Sequence, residues 1–159
     1  MKRLQGKNNY LIGVISDTHG KLPPPVMQLF KKVDLIIHAG DIDSADVLER
    51  LKSIAPTVAV RGNMDSGQWT GSMKETETIR IGEAVVFVCH NLHGSDMIPA
   101  SADLNAVIYG HTHRPSIESR EGVLFLNPGS AGQRRYGNPL SVALLHLSGK
   151  DLQAEIFTL

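Results

Sequence analysis

Tyr10-Leu11-Ile12-Gly13-Val14-Ile15-Ser16, running straight into Asp17-Thr18-His19-Gly20, is the stretch that decides the fold. A short, continuous apolar run of this kind reads as a strand buried on both faces. Two metal-ligand residue types, one residue apart, follow at its carboxyl end, with Gly20 freeing the turn. The pattern then repeats. Pro23-Pro24-Pro25 opens a short amphipathic helix carrying Val26, Leu29 and Phe30, and the next buried run, Asp34 to Ala39, ends in Gly40-Asp41. Ser44 stands as the N-cap of a second helix, Ala45 to Ile54, with Val47, Leu48, Leu51 and Ile54 at helical spacing and Pro56 closing it. Thr57 to Val60 is a third strand and runs into Arg61-Gly62-Asn63-Met64-Asp65. The first 65 residues thus read as β-α-β-α-β with polar groups at every strand end, the edge where open parallel sheets bind ligands.

Beyond residue 65 the chain continues in short strands. Thr76 to Ile81 and Ala84 to Cys89 have hairpin spacing about Gly82-Glu83, and His90 follows the second of them. Leu104 to Tyr109 leads into Gly110-His111-Thr112-His113, where strand alternation would send both imidazoles to one side and Gly110 permits a sharp change of direction. Ser116 to Arg120, Val123 to Leu126, Leu140 to Leu147 and Leu152 to Phe157 complete the strands, and Asn127-Pro128-Gly129-Ser130 is a glycine-rich loop between them. Residues 1–8 read as a loose polar end. Residues 66–75 are a polar loop in which Trp69 is either a lip of a site or a packing residue, and 95–103 is too short and proline-interrupted to make a helix. With no repeat or linker, a single domain over 1–159 is expected.

Composition narrows the partners. The chain is 42% hydrophobic and 20% charged, which sets disorder aside, and its 16 basic residues balance 16 acidic ones. No bulk field draws long nucleic acid or an anionic membrane, so phosphate affinity must be local. The lone cysteine, Cys89, excludes an internal disulfide and fits a reducing compartment, and no stretch approaches the roughly 20 apolar residues of a membrane helix. A cytoplasmic protein is the expectation, with homo-oligomerisation left open.

The strand ends supply Asp17, His19, Asp41 and Asn63 from the first half and His90, His111 and His113 from the second. All are oxygen or nitrogen donors without a thiolate, a set suited to manganese, iron, zinc, cobalt or nickel in a reactive site rather than to a structural zinc knuckle. Seven ligands exceed the needs of one ion, and with one carboxylate shared they supply four to each of two. Two divalent transition-metal ions about 3.5 to 4 Å apart are the equipment for in-line phosphoester hydrolysis, attack coming from a hydroxide that bridges them.

These residues also carry a resemblance. Asp17-x-His19, Gly40-Asp41, Gly62-Asn63-x-Asp65, His90 and Gly110-His111-x-His113 stand in the order and contexts of the calcineurin-like metallophosphoesterases, and Asn127-Pro128-Gly129-Ser130 resembles their small phosphodiesterase branch. The resemblance covers about residues 11 to 147. It implies a four-layer α-β-β-α sandwich of two mixed sheets flanked by helices, and a small phosphoester as substrate. By the same resemblance Asp17, His19, Asp41 and His113 would hold one ion, Asp41, Asn63, His90 and His111 the other, with manganese first among the metals. The fold also resembles the metallophosphoesterase-like subunit of the retromer coat, which implies a non-catalytic binding scaffold as the alternative.

The chain departs from the family pattern at Met64, where many members have a histidine that protonates the leaving group, and after His90, where Asn91 and Leu92 precede His93. His93 is then either a loop residue or a stand-in general acid. His38, inside a buried run, is a core histidine or a partner behind Asp41, and Asp65 reads as a turn residue or as support for a ligand. Asn127 and Ser130 belong to an anion-binding concavity or a tight turn. Arg134, with Arg135, is a solvated pair or a substrate-phosphate contact. His146 and Cys89 read as structural.

Overall fold

The computed structural model describes residues 1–92, 98 and 103–159. Along the chain come β1 (Lys2–Leu4), β2 (Asn9–Ile15), α1 (Pro24–Leu29), β3 (Leu35–His38), α2 (Ala45–Lys52) and β4 (Thr57–Ala59). After a 3-10 turn at Gln68–Thr70 follow β5 (Thr76–Ile81), β6 (Ala84–Cys89), β7 (Ala106–Ile108), β8 (Ser116–Arg120), β9 (Val123–Asn127), β10 (Ser141–Ser148) and β11 (Asp151–Thr158). They form a five-stranded sheet, β11-β10-β2-β3-β4, and a six-stranded sheet, β1-β5-β6-β7-β9-β8. Both are mixed, as the sequence led one to expect.

Period-two alternation sorts the apolar side chains into layers. Ile12, Val14, Leu35 and Ile37 point between the sheets, where they meet Ile79, Ile81, Val86, Val88 and Ile108 of the other sheet. Ile15 and Ile36 face the opposite way and pack under the helices with Val26, Phe30, Val47 and Leu51. Helix α2 forms where the spacing placed it: the Ser44 hydroxyl accepts from the Asp46 amide at its start, and Arg50 and Lys52 occupy its last turn. Phe87, Cys89, Val107 and Tyr109 form a smaller layer on the six-stranded sheet. Among the described residues no helix is long and apolar enough to cross a membrane.

One expectation fails. Residues 1–8 are not a loose end, because Lys2–Leu4 pairs in parallel with Ile79–Ile81. An edge strand such as β5 offers unpaired backbone groups, and a polar segment satisfies them as well as an apolar one. Hydropathy therefore gives no warning of β1. Trp69 resolves to packing, since it lies against the layer beneath the helices.

Strands β2, β3 and β4 run parallel to one another, as do β6, β7 and β9. Their carboxyl ends deliver the loops that carry every residue the sequence singled out as a ligand.

Candidate metal centre

The loops at these strand ends hold a backbone that side chains ordinarily avoid. Asp17, His19, Asp41, Asp43, His111 and His113 all have positive φ, from 48° to 70°. Each such residue costs roughly 1–2 kcal/mol, least for Asp, Asn and His. Long-range hydrogen bonds hold the strain. The Asp17 amide donates to the Gly40 carbonyl and the His19 amide to Asp41, both at 3.0 Å. Asp65 is a clamp: one carboxylate oxygen accepts from the amides of Ile42 (2.8 Å) and Asp43 (2.9 Å), the other from Asp41 (3.0 Å) and Gly62 (2.9 Å). Gly110 is required by close approach rather than by a left-handed turn, because a Cβ there would overlap the Ser16 hydroxyl and press on Asp17.

Each aspartate offers one oxygen to the protein and turns the other inward. Asp17 Oδ2 accepts from the Ser16 hydroxyl (2.6 Å) and the His111 amide (3.1 Å), while Oδ1 lies 3.2 Å from His113 Nε2, 3.7 Å from His19 Nε2 and 3.9 Å from His90 Nε2. Asp41 Oδ1 accepts from the Met64 amide at 2.9 Å, while Oδ2 sits 3.3 Å from His90 Nε2 and 3.9 Å from His19 Nε2. The histidines are oriented from behind. Nδ1 of His90 donates to the Ala39 carbonyl at 2.7 Å and Nδ1 of His19 meets Asp43 at 3.0 Å, so in both rings Nε2 faces the centre. Two donor groups result, Asp17 with His19 and His113, and Asp17 with Asp41 and His90.

Asp17 Oδ1 and His90 Nε2 are buried and lack hydrogen-bond partners among the described residues. Lone pairs converging at this range repel unless a proton or a cation stands among them, and oxygen with imidazole nitrogen is a donor set that divalent transition metals take. The residues fit such an ion. Burial works against the charge on Asp17, yet His113, His19 and His90 hold its carboxyl well below the usual range. Burial likewise opposes ionisation of Asp41, and His90 outweighs it. The facing Asp17 raises His19 above the ordinary imidazole value, and His90 also rises because Asp41 and Asp17 overcome its burial. His111 moves down, through burial and the neighbouring His90.

The model of the calcineurin-like phosphoesterase superfamily domain matches residues 10–150. The chain belongs to that superfamily. A probable metallophosphoesterase of Methanothermobacter thermautotrophicus is 37% identical over 157 residues, covering 92% of this chain and 91% of the relative. A phosphodiesterase of Methanocaldococcus jannaschii is 32% identical over 158 residues, covering 88% and 95%. Among solved structures, vacuolar protein sorting 29 of Cryptosporidium parvum superposes with a TM-score of 0.76 at 23% identity, over 96% of this chain and all (100%) of that one.

Within this superfamily member the HxH pair divides. The His113 ring lies 5.3 Å from that of His19, whereas the His111 ring lies 5.2 Å from that of His90. Alternation does not apply, because β7 ends at Ile108 and both histidines are left-handed. Asn63 is exposed and borders the cleft with His90 and His111, and Met64 projects at 56% exposure with its amide on Asp41. His38 is a buried support: its Nδ1 accepts from the Gly40 amide, so Nε2–H donates to Thr18, whose hydroxyl donates to the Ile42 carbonyl. Burial pulls its pKa down to about 3, which keeps the ring neutral. Asn127 spends its amide on Gly110, Thr112 and Gly129, and the Ser130 hydroxyl donates to the Asp17 carbonyl. With the amides of Gly129, Ala131 and Gly132 engaged inside the protein as well, this loop is a structural turn and not an anion cradle. Arg134 is not among the residues that line the cleft, whereas Arg135 lines it with Gln133. His93 lies outside the described residues. Sequence reasoning missed Asp43, although its place two residues after Asp41 mirrors the Asp17-x-His19 spacing.

Proposed function

We propose that this chain is a phosphodiesterase that hydrolyses small phosphoesters with two divalent transition-metal ions. Asp17, His19, Asp41 and His113 would hold one ion, and Asp41, Asn63, His90 and His111 the other. The observation that carries the reading is the pair of donor groups, with Asp17 common to both, in which the buried Asp17 Oδ1 and His90 Nε2 have no hydrogen-bond partner among the described residues. The ring pairing of His19 with His113 and of His90 with His111 supports the division, and Asp41 Oδ2, between His90 and His19, supports sharing. When bound, the ions would supply Lewis acidity toward phosphoryl oxygens and a water acidified to near neutral pH.

The protein's own part is positioning and proton control. Ser16 and the amides of Met64 and His111 hold the carboxylates of Asp17 and Asp41, and Ala39 and Asp43 hold the imidazoles of His90 and His19. His111, its pKa lowered, is neutral and ready to ligate at neutral pH. The Met64 thioether can neither give nor take a proton, so substrates with good leaving groups are favoured. The names of the relatives support the reaction class.

Metal analysis of the purified protein, paired with hydrolysis of bis-p-nitrophenyl phosphate, tests the reading. Two equivalents of metal and turnover abolished in both Asp41→Ala and His111→Ala are the expected results. Full activity of Asp41→Ala after chelation would sink it. A fold shared with vacuolar protein sorting 29 supports a scaffold as second reading, and it gains if the metal-loaded protein hydrolyses nothing in a broad phosphoester panel.

A further inference from the structure

Two cavities of about 360 Å³ each open on the centre, and Asn63 and His111 line both. One extends past His90 and Asn91 to Arg61 and Glu75. The other extends past His19 and His113 to Met64, Gln133 and Arg135. The site is therefore a groove with two lobes that meet over the ligands. A phosphate seated at the junction has room for a substituent on either side, which a diester fills and a monoester fills by half.

The lobes differ in charge. Arg61 is compensated by Glu75, 3.5 Å from its guanidinium. Arg114, next to His113, lies over the Tyr136 ring at 5.3 Å. The other lobe also holds the carboxylates of Asp41, turned to the centre, and Asp43, taken up by His19 at 3.0 Å, while Arg135 at its far end has neither an ion pair nor a side-chain hydrogen bond among the described residues. Met64, which lines the same lobe, offers an exposed, adaptable apolar surface. An arm with an apolar body and an anionic end matches that pairing, as a nucleoside bearing a second phosphate would.

Resting on the phosphodiesterase reading, we propose that Arg135 binds an anionic group carried on the substrate arm in its lobe, with Met64 against the body of that arm. A charge-assisted contact at an exposed position is worth about tenfold in affinity.

The test uses the manganese-loaded protein and symmetric esters, so that either arm can occupy the Arg135 lobe. Bis(3-carboxy-4-nitrophenyl) phosphate carries an anion on each arm, bis-p-nitrophenyl phosphate carries none, and p-nitrophenyl phosphate has one arm only. In the wild type, kcat/KM for bis-p-nitrophenyl phosphate exceeds that for the monoester by about tenfold or more. In Arg135→Ala the ratio of kcat/KM for the carboxylated diester to that for the plain diester falls about tenfold, mainly through KM. Arg135→Lys recovers part of it, and Arg134→Ala leaves the ratio as it was. Equal loss on both diesters or an equal effect of Arg134→Ala overturns the proposal while the phosphodiesterase reading stands, whereas a monoester hydrolysed faster than the diester overturns that reading. Hydrolysis of none of the three by the wild type overturns that reading and this proposal with it.

Discussion

Replacing Asp65 by Asn keeps the side chain's size and removes half of its accepting capacity. The buried carboxylate receives four amides, two on each oxygen, from Asp41, Ile42, Asp43 and Gly62. Whichever way the Asn amide turns, one oxygen keeps two of these donors and the NH2 group confronts the other two. A buried donor left without a partner costs about 1–3 kcal/mol, so two cost about 2–6 kcal/mol. That is a large share of the 5–15 kcal/mol typical of a whole domain. At roughly 2–4 °C per kcal/mol for a chain of this size, the melting temperature should fall by about 4–24 °C. The residues released include Asp41 and Asp43, whose left-handed backbones the clamp helps to hold, so metal affinity should drop along with stability. Urea or thermal unfolding of the metal-free protein measures the first effect, and equilibrium dialysis against manganese the second. A variant that melts within 2 °C of the wild type and still binds metal with unchanged affinity would refute the clamp.

Three further outcomes are expected. Gly110→Ala, whose Cβ would overlap the Ser16 hydroxyl, should displace the loop bearing His111 and His113 and lower the metal content measured by plasma emission without abolishing the fold, as read by far-ultraviolet circular dichroism. Metal uptake should release protons and tighten as pH rises. His19 and His90 have raised pKa values, so they keep their protons to higher pH and compete with the ion, whereas Asp17 and Asp41, lowered, are already ionised; calorimetry in buffers of different ionisation enthalpy reads the proton count. Chelation should lower the melting temperature, by about 2.7 kcal/mol of lost stabilisation when the free metal had stood at 100 times its dissociation constant, and differential scanning fluorimetry with and without chelator checks it.

Much of this fold was legible because its strands are short apolar runs bounded by glycine, proline and aspartate. β5, β6 and β8 begin and end where alternation and turn residues put them. The seven ligand candidates were legible for the same reason, each standing directly after such a run. What escaped was whatever depends on contacts distant in sequence. β1 is defined only by the free edge of β5, some 75 residues away in register. Asp65 read as a turn residue or as support for a ligand and Asn127 as part of an anion-binding concavity or a tight turn, and only the folded chain reveals that one gathers four amides and the other ties Gly110 to Gly129. Periodicity alone would send His111 and His113 to one side; their division was expected from the family resemblance, and the ring pairing follows from φ, which periodicity does not encode.

The left-handed residues of the centre have a consequence for how such a site can change. Asp, Asn and His are the side chains that this backbone tolerates best after glycine, and they are also oxygen and nitrogen donors for metals. The two demands therefore draw on one small alphabet. Cysteine or glutamate introduced to recruit a softer or harder ion would meet a conformational barrier of roughly 1–2 kcal/mol at Asp17, His19, Asp41, His111 or His113 before any coordination is formed. Mutational drift at these positions is thus channelled toward neighbours of the same chemistry, and a redesign for another metal has more freedom at Asn63 and His90, whose backbones carry no such restriction.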